Sequence, residues 1–403
     1  MQQETIRERI MQELETVDVV DTHTHLVGDR LNAVDFWQIA HYFWLFRELQ
    51  AAGYPAHAEQ LPVRERIQAF LSAHHASRHT MMNVALSRIF QDLYGIELKD
   101  EASVLAADEA VKQSAVQADW AQKVADRLSV REYVVNVPEH APFEGMRRNA
   151  ILIPRIDGKI FGWVTEIIES SNPLQAFEKL RETVDALLGG YSKQGCPGIM
   201  TTLPRYEAAA NQLYDLSASG LVRDQVLMNV LHLICEAAQR HELFVQFFLG
   251  VERSWCGEPL PANDPERILK LSGLFERYSC PFELVVASEI NNLDVVQAAW
   301  NFPNVHVGGH WWYNFRASTY KQSMQYRLEA LPALKSSLIA SDSRCIEWTY
   351  GKIWLVKRVL SEFLAERVAS GWLDHAQAIE VARDWLYESA ARRYRVQSLN
   401  SKG

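Results

Sequence analysis

Two rhythms of apolar residues alternate along this chain. Short runs rich in β-branched and aromatic residues mark strands, and longer stretches with apolar positions three and four apart mark helices. Eight runs read as strands: 17–23, 131–137, 149–156, 198–203, 243–251, 282–288, 304–310 and 337–342. From the second onward, most are separated by helical periodicity. Val230, Leu231, Leu233, Ile234 and Ala237 precede the run 243–251. Ile353, Val356, Leu360, Phe363, Leu364 and Val368 form a stripe closed by Gly371 as a C-cap. Strand then helix, with eight strands, predicts a distorted (β/α)8 TIM-type barrel. The alternative is a doubly wound sheet, but that architecture needs a glycine-rich turn after strand one, and none follows it here.

More than a hundred residues separate the first two strands. Helical periodicity fills much of that gap, over 33–52, 63–75, 79–94 ending at Gly95, and about 106–129. The expectation is one domain spanning 1–403, with a helical insertion of about residues 30–130 crossing the barrel mouth, where loops carry function. No internal repeat or low-complexity tract interrupts it.

Composition narrows the class. With 48% hydrophobic residues in 403, the chain can bury a large core, and a net charge of −9 disfavours nucleic acid or an anionic membrane as partner. Cys196, Cys235, Cys256, Cys280 and Cys345 are scattered without CxxC spacing and read as reduced thiols of a cytoplasmic protein. The first fifteen residues carry Ile6, Ile10, Met11 and Leu14 at helical spacing and lack the apolar centre of a signal peptide. No run of about 18 apolar residues is present to span a membrane.

The chemistry concentrates where strands end, because a barrel converges those side chains on one site. Strand one closes as Val19-Val20-Asp21-Thr22-His23-Thr24-His25. Alternate strand residues share a face, so His23 and His25 project side by side, with Asp21 below. Two imidazoles on one point suit a divalent cation. Other strand ends offer Asn136, Arg155, Thr201 with Thr202, Gln246, Ser288, His310-Trp311-Trp312, and Asp342 with Arg344. His23, His25 and Asp342 make a three-ligand set with an open position, the catalytic pattern. Zinc is the first expectation from that set, and manganese or iron would also be accepted. For Arg155, in an apolar strand, two readings stand: an internal salt bridge, or a fork for a substrate carboxylate. The tryptophan pair suits core packing or a sugar platform. His310 suits a ligand, a hydrogen-bond donor or a satisfied buried histidine.

With those residues in place, the chain resembles the amidohydrolase superfamily and, within it, the uronate (glucuronate) isomerases. Asp21-Thr22-His23-Thr24-His25-Leu26 is similar to that family's first-strand motif, and His41-Tyr42 to a tyrosine that follows it. Arg155-Ile156-Asp157 matches the arginine strand, and Gly309-His310-Trp311-Trp312-Tyr313-Asn314 the double-tryptophan motif. Ser341-Asp342-Ser343-Arg344 and Ala390-Ala391-Arg392-Arg393-Tyr394 complete the likeness. His-x-His alone marks the superfamily; the tryptophan pair with Asp-Ser-Arg narrows it. The chain departs from the pattern too. No bridging residue ends strand four and no histidines end strands five and six, which disfavours a two-metal hydrolase. Phe248 stands where longer members have a histidine, Glu289 where an arginine is typical, and His310 where a smaller residue is found. The last two changes bear on substrate identity more than on reaction class.

The resemblance implies a metal-dependent aldose–ketose isomerase of a hexuronate, such as D-glucuronate to D-fructuronate or D-galacturonate to D-tagaturonate. His23, His25 and Asp342 would hold one divalent ion. Arg155 would bind the sugar carboxylate, and Trp311, Trp312 and His310 would shape the pocket. Tyr42, its pKa lowered by the Arg344 cation, would move the proton. The alternatives are a mononuclear hydrolase or decarboxylase of the same superfamily, with Asp342 as base, and a non-catalytic carbohydrate-binding barrel. The expected partner is a small sugar acid, with assembly into a homo-oligomer left open by the sequence.

Overall fold

The computed structural model describes residues 2–137, 141–217, 220–255, 259–260, 264–287, 289–311 and 316–396; Trp312, Ser288 and Cys256 lie outside them. Two parallel sheets form the centre. The first runs in the order β1 (Val19–Thr24), β2 (Val130–Val135), β3 (Ile151–Leu152). The second contains β4 (Gly198–Pro204), β5 (Phe244–Arg253), β7 (Phe282–Val285) and β8 (Val305–Val307), with β6 (Pro259–Leu260) antiparallel to β5. Every residue of β1, β4 and β7 is buried, as expected of parallel strands covered on both faces.

Backbone hydrogen bonds join the sheets at two seams. On one side Met200 N–H donates to Pro154 O and Ile156 N–H to Met200 O, each at 3.0 Å. On the other, the segment 336–342 lies between β8 and β1. Ser337 N–H donates to Val307 O at 3.0 Å and His310 N–H to Leu338 O at 2.8 Å, while Thr22 N–H donates to Ile339 O at 3.1 Å and Asp342 N–H to His23 O at 2.8 Å.

Three of the expected strands that come out shorter than the sequence implies bear on the site. The run 149–156 ladders with β2 only over Ile151–Leu152 and meets β4 at a single bridge, Arg155 with Met200; Pro154, whose backbone faces β4, has no N–H to extend that second pairing. The run 304–310 is a strand over Val305–Val307, and beyond it the chain passes through Gly308 and Gly309 to one bridge at His310. A Cβ on Gly309 would fall 2.6 Å from the Ile339 carbonyl, so only glycine admits that approach. The run 337–342 forms no ladder. Ser341 gives its N–H to the Asp21 carboxylate at 2.9 Å instead of to a strand, and Asp342 adopts a left-handed backbone with φ 55°.

The insertion is helical as expected, but broken twice where single helices were predicted. The stretch 33–52 is two helices, Phe36–Ala40, capped by Asp35 on Gln38 N–H at 2.8 Å, and Phe43–Ala51. Tyr42 stands between them with φ −55° and ψ 130°. Farther on, 106–129 is Glu101–Ala115, with an Asp100–Ser103 capping box, and Trp120–Arg127. Val63–Ser77 and Met81–Tyr94 match their periodicity, the latter closed by Gly95 at φ 71°. Glu347, in the first turn of the helix Ile346–Ala369, ties these pieces down. Its buried carboxylate accepts from Ala33 N–H at 3.0 Å, Tyr94 Oη at 3.1 Å and Trp120 Nε1 at 2.9 Å. Ile39, Leu45 and Phe90 of the insertion share one apolar cluster with Val19, Val134 and Ile353. No helix among the described residues is long and apolar enough to cross a membrane. Cys196, Cys235, Cys280 and Cys345 are buried free thiols.

Candidate metal centre and active site

β1 ends in the site. His23 is buried near its last residue, and His25 follows it, half-exposed. Their rings meet edge to face, with centroids 5.0 Å apart. Asp342 reaches them from the segment beyond β8. Its left-handed backbone and the N–H bond to His23 O set it opposite β1. One carboxylate oxygen, Oδ1, lies 3.2 Å from His23 Nε2 and 2.9 Å from His25 Nε2. Among the described residues these three form the one group whose ligand atoms, all within 4.8 Å of one another, could hold a metal ion.

The electrostatics suit that use. Burial pushes the His23 imidazole below its ordinary range against its bond to Asp342, and the His25 and Arg155 charges push the same way. A neutral imidazole is the form that binds a metal. Burial opposes ionisation of Asp342, but the bonds from His23 and His25 prevail and hold its carboxyl well below the usual range. Two nitrogens and one carboxylate oxygen converging on one point fit a divalent cation. Beneath them Asp21 accepts from Ser341 N–H at 2.9 Å and from His23 N–H at 3.4 Å; burial pushes it up to about 6.

The break between the two first insertion helices aims Tyr42 at this centre. Its hydroxyl donates to the Asp342 carbonyl at 2.8 Å, and lies 3.5 Å from Oδ2. Here the structure corrects an expectation. The Tyr42 phenol lies well above its ordinary range, first through burial and then through the Asp342 charge; Arg344 pulls the other way and is outweighed. Tyr42 is therefore a proton-bearing phenol in this state, not a phenolate. Arg344 is exposed and bonds no described side chain or backbone group.

Arg155 forms the internal salt bridge foreseen as one of its two readings. Nε donates to Asp157 Oδ1 at 2.6 Å and Nη2 to Oδ2 at 2.9 Å. Asp157 also accepts from Thr202 Oγ1 at 3.2 Å. A guanidinium has five N–H groups, so the far edge of Arg155 keeps donors that no described residue takes.

Aromatic rings wall the centre. Phe248 of β5 packs 4.5 Å from the His23 ring, Trp311 meets Phe248 edge-on at 5.1 Å, and Trp44 meets Trp311 edge-on at 5.6 Å. Two other candidates lie elsewhere. His310 is buried with its ring stacked on Tyr320 at 4.6 Å, and burial, then Arg327 and Lys352, keep it neutral. Gln246, expected at a strand end, sits early in β5 because that strand runs on to Arg253, and it bonds Glu283 and Tyr394 instead. Sequence reasoning missed Trp44, whose indole N–H donates to Asp342 Oδ2 at 3.3 Å. It also missed the clasp role of Glu347. An aromatic two residues past Tyr42 carried no signal until the helix break was seen.

No protein-family model matches this chain, and no curated protein matches it. Solved structures do. A glucuronate isomerase from Caulobacter crescentus superimposes with a TM-score of 0.78 at 16% identity, over 98% of this chain and 95% of that one. A uronate isomerase from Thermotoga maritima gives 0.76 at 16%, over 97% of each chain. One from Bacillus halodurans gives 0.75 at 15%, over 98% and 97%. The chain shares the α/β fold of these proteins almost end to end.

Proposed function

We propose that this protein is a metal-dependent aldose–ketose isomerase of a hexuronate, interconverting D-glucuronate and D-fructuronate or D-galacturonate and D-tagaturonate. One observation carries the reading: His23, His25 and Asp342 converge on one point, and the Tyr42 hydroxyl bonds the carbonyl of that same Asp342 at 2.8 Å. The fold shared with three uronate isomerases supports it. The hydrogen bonds across both seams support a distorted (β/α)8 barrel with the insertion over its mouth.

His23, His25 and Asp342 would hold one divalent ion, with zinc the first choice for this donor set. When bound, such an ion supplies a Lewis acid for the carbonyl and neighbouring hydroxyl oxygens of the sugar. Isomerisation moves a proton between C2 and C1 and hydrogens between the two oxygens. Tyr42, which carries a proton at Oη, is the residue placed to move it, with the ionised Asp342 beside it. The far edge of Arg155, with the exposed Arg344, offers cationic donors for the substrate carboxylate. Trp311 forms an apolar wall for the sugar, and Trp312 is placed there with it on the strength of the sequence motif.

The test is incubation of zinc-, manganese- or iron-loaded protein with a panel of hexuronates and the matching neutral aldoses, followed by NMR. The expected product is a ketose from one hexuronate, with no acid or carbon dioxide released and little reaction of the neutral sugars. Release of acid or carbon dioxide would identify a hydrolase or decarboxylase. Binding without turnover in every metal form would identify a carbohydrate-binding protein.

A further inference from the structure

The two oxygens of Asp342 have different surroundings. Both imidazoles face Oδ1, at 3.2 and 2.9 Å. Neither is bonded to Oδ2. That oxygen has instead the Trp44 indole N–H at 3.3 Å and the Tyr42 hydroxyl at 3.5 Å, both brought by the insertion. An indole N–H can only donate. It cannot ligate a metal and carries no charge to titrate. The indole is also held in place. It stands edge-on to Trp311 at 5.6 Å and to Phe43 at 4.9 Å, with the Arg47 guanidinium 5.5 Å over its ring.

We propose that Trp44 is a positioning residue that keeps Asp342 a one-oxygen ligand, committing Oδ1 to the metal and withholding Oδ2. A carboxylate with both oxygens free closes on a cation through two bonds. Holding one oxygen back leaves an additional coordination position for the substrate, whose carbonyl and hydroxyl must be gathered together. The role assigned to Trp44 rests on the metal centre proposed above.

Cobalt loading provides a direct readout, because the visible bands of Co2+ weaken as ligands are added. Trp44→Phe keeps a ring against Trp311 and removes the N–H. With Oδ2 released, its cobalt spectrum is expected to lose intensity relative to the parent, reporting a higher coordination number. If Trp44→Phe fails to fold, by circular dichroism, Trp44→Met carries the same measurements. A variant that binds cobalt with an unchanged spectrum overturns the role of Trp44 alone. A parent protein that takes up no cobalt or zinc overturns the metal centre, and the role of Trp44 with it.

Discussion

Toward the N-terminal ends of the strands, two buried charged groups find their partners within the chain. Glu283 of β7 pairs with Arg393 and accepts from Tyr394 Oη at 2.6 Å and Gln246 Nε2 at 2.9 Å. Lys357 donates to the carbonyls of Val17 at 3.2 Å and Leu128 at 3.0 Å, just before β1 and β2 begin. At the other ends, His23 and His25 both face one oxygen of Asp342, Arg155 keeps an unused edge, and Arg344 stands in solvent. The residue types are alike, and the difference is what remains to be satisfied. A buried carboxylate whose partners are complete holds the fold together; one whose partners converge on a point invites a ligand.

The largest effect is expected from Asp342→Ala. Removing one of three ligands should empty the site, so elemental analysis finds much less than one metal per chain, and turnover of the hexuronate falls by about a thousandfold or more. The chain should still fold, with its thermal midpoint lowered by the lost metal and by alanine on a left-handed backbone. Metal retained at full occupancy would break the distinction between the two ends.

Tyr42→Phe should lower turnover by about 10²- to 10⁴-fold, the range for loss of a general acid or base. Metal content should hold. Deuterium from heavy water should no longer enter C1 of the ketose. Near-normal turnover would pass the proton to Asp342 alone.

Glu283→Ala sharpens the comparison from the opposite side. It leaves Arg393 buried without its partner, which should cost about 3–5 kcal/mol of stability in denaturant unfolding. The folded fraction should still take up one metal. Loss of metal with intact stability would mean that the two ends had been assigned the wrong way round.

The smallest effect concerns Lys357, whose ammonium burial pushes down to about 8, against the charges of Glu15 and Asp18. Between that value and its ordinary 10.5, the unfolded chain binds the proton and the folded chain does not. The stability this group contributes therefore rises with pH through that window and is lost as pH falls below it. Lys357→Met should flatten the rise by at most about 3 kcal/mol. A parallel pH profile in both proteins would show that Lys357 stays charged.

Much of the site was legible because its signals are local. His23 and His25 share a strand face two residues apart, and Gly95 and Gly371 closed the helices they were expected to close. What escaped depends on contacts distant in sequence. The eighth strand was expected from apolar residues at 337–342, but its N–H bonds go partly to the Asp21 side chain, some 320 positions away. The third meets β4 at one bridge only, because Pro154 on that side has no N–H, a restriction visible in the sequence. Tyr42 was placed in the site by resemblance, yet its protonation state turned on burial, which no motif displays. Trp44 acts through a helix break that periodicity passes over, because both sides of the break are apolar.

The left-handed backbone of Asp342 has one more consequence. It turns the carbonyl of that residue toward Tyr42 while the carboxylate faces β1 and Trp44. A single residue thus fastens the first insertion helices to the strand that carries the histidines. Occupancy of the centre and the position of residues 36–51 would then be linked. Whatever binds the docked form alone stabilises it by RT ln(1 + [L]/Kd). A ligand held by Asp342 would therefore also favour the docked position of residues 36–51.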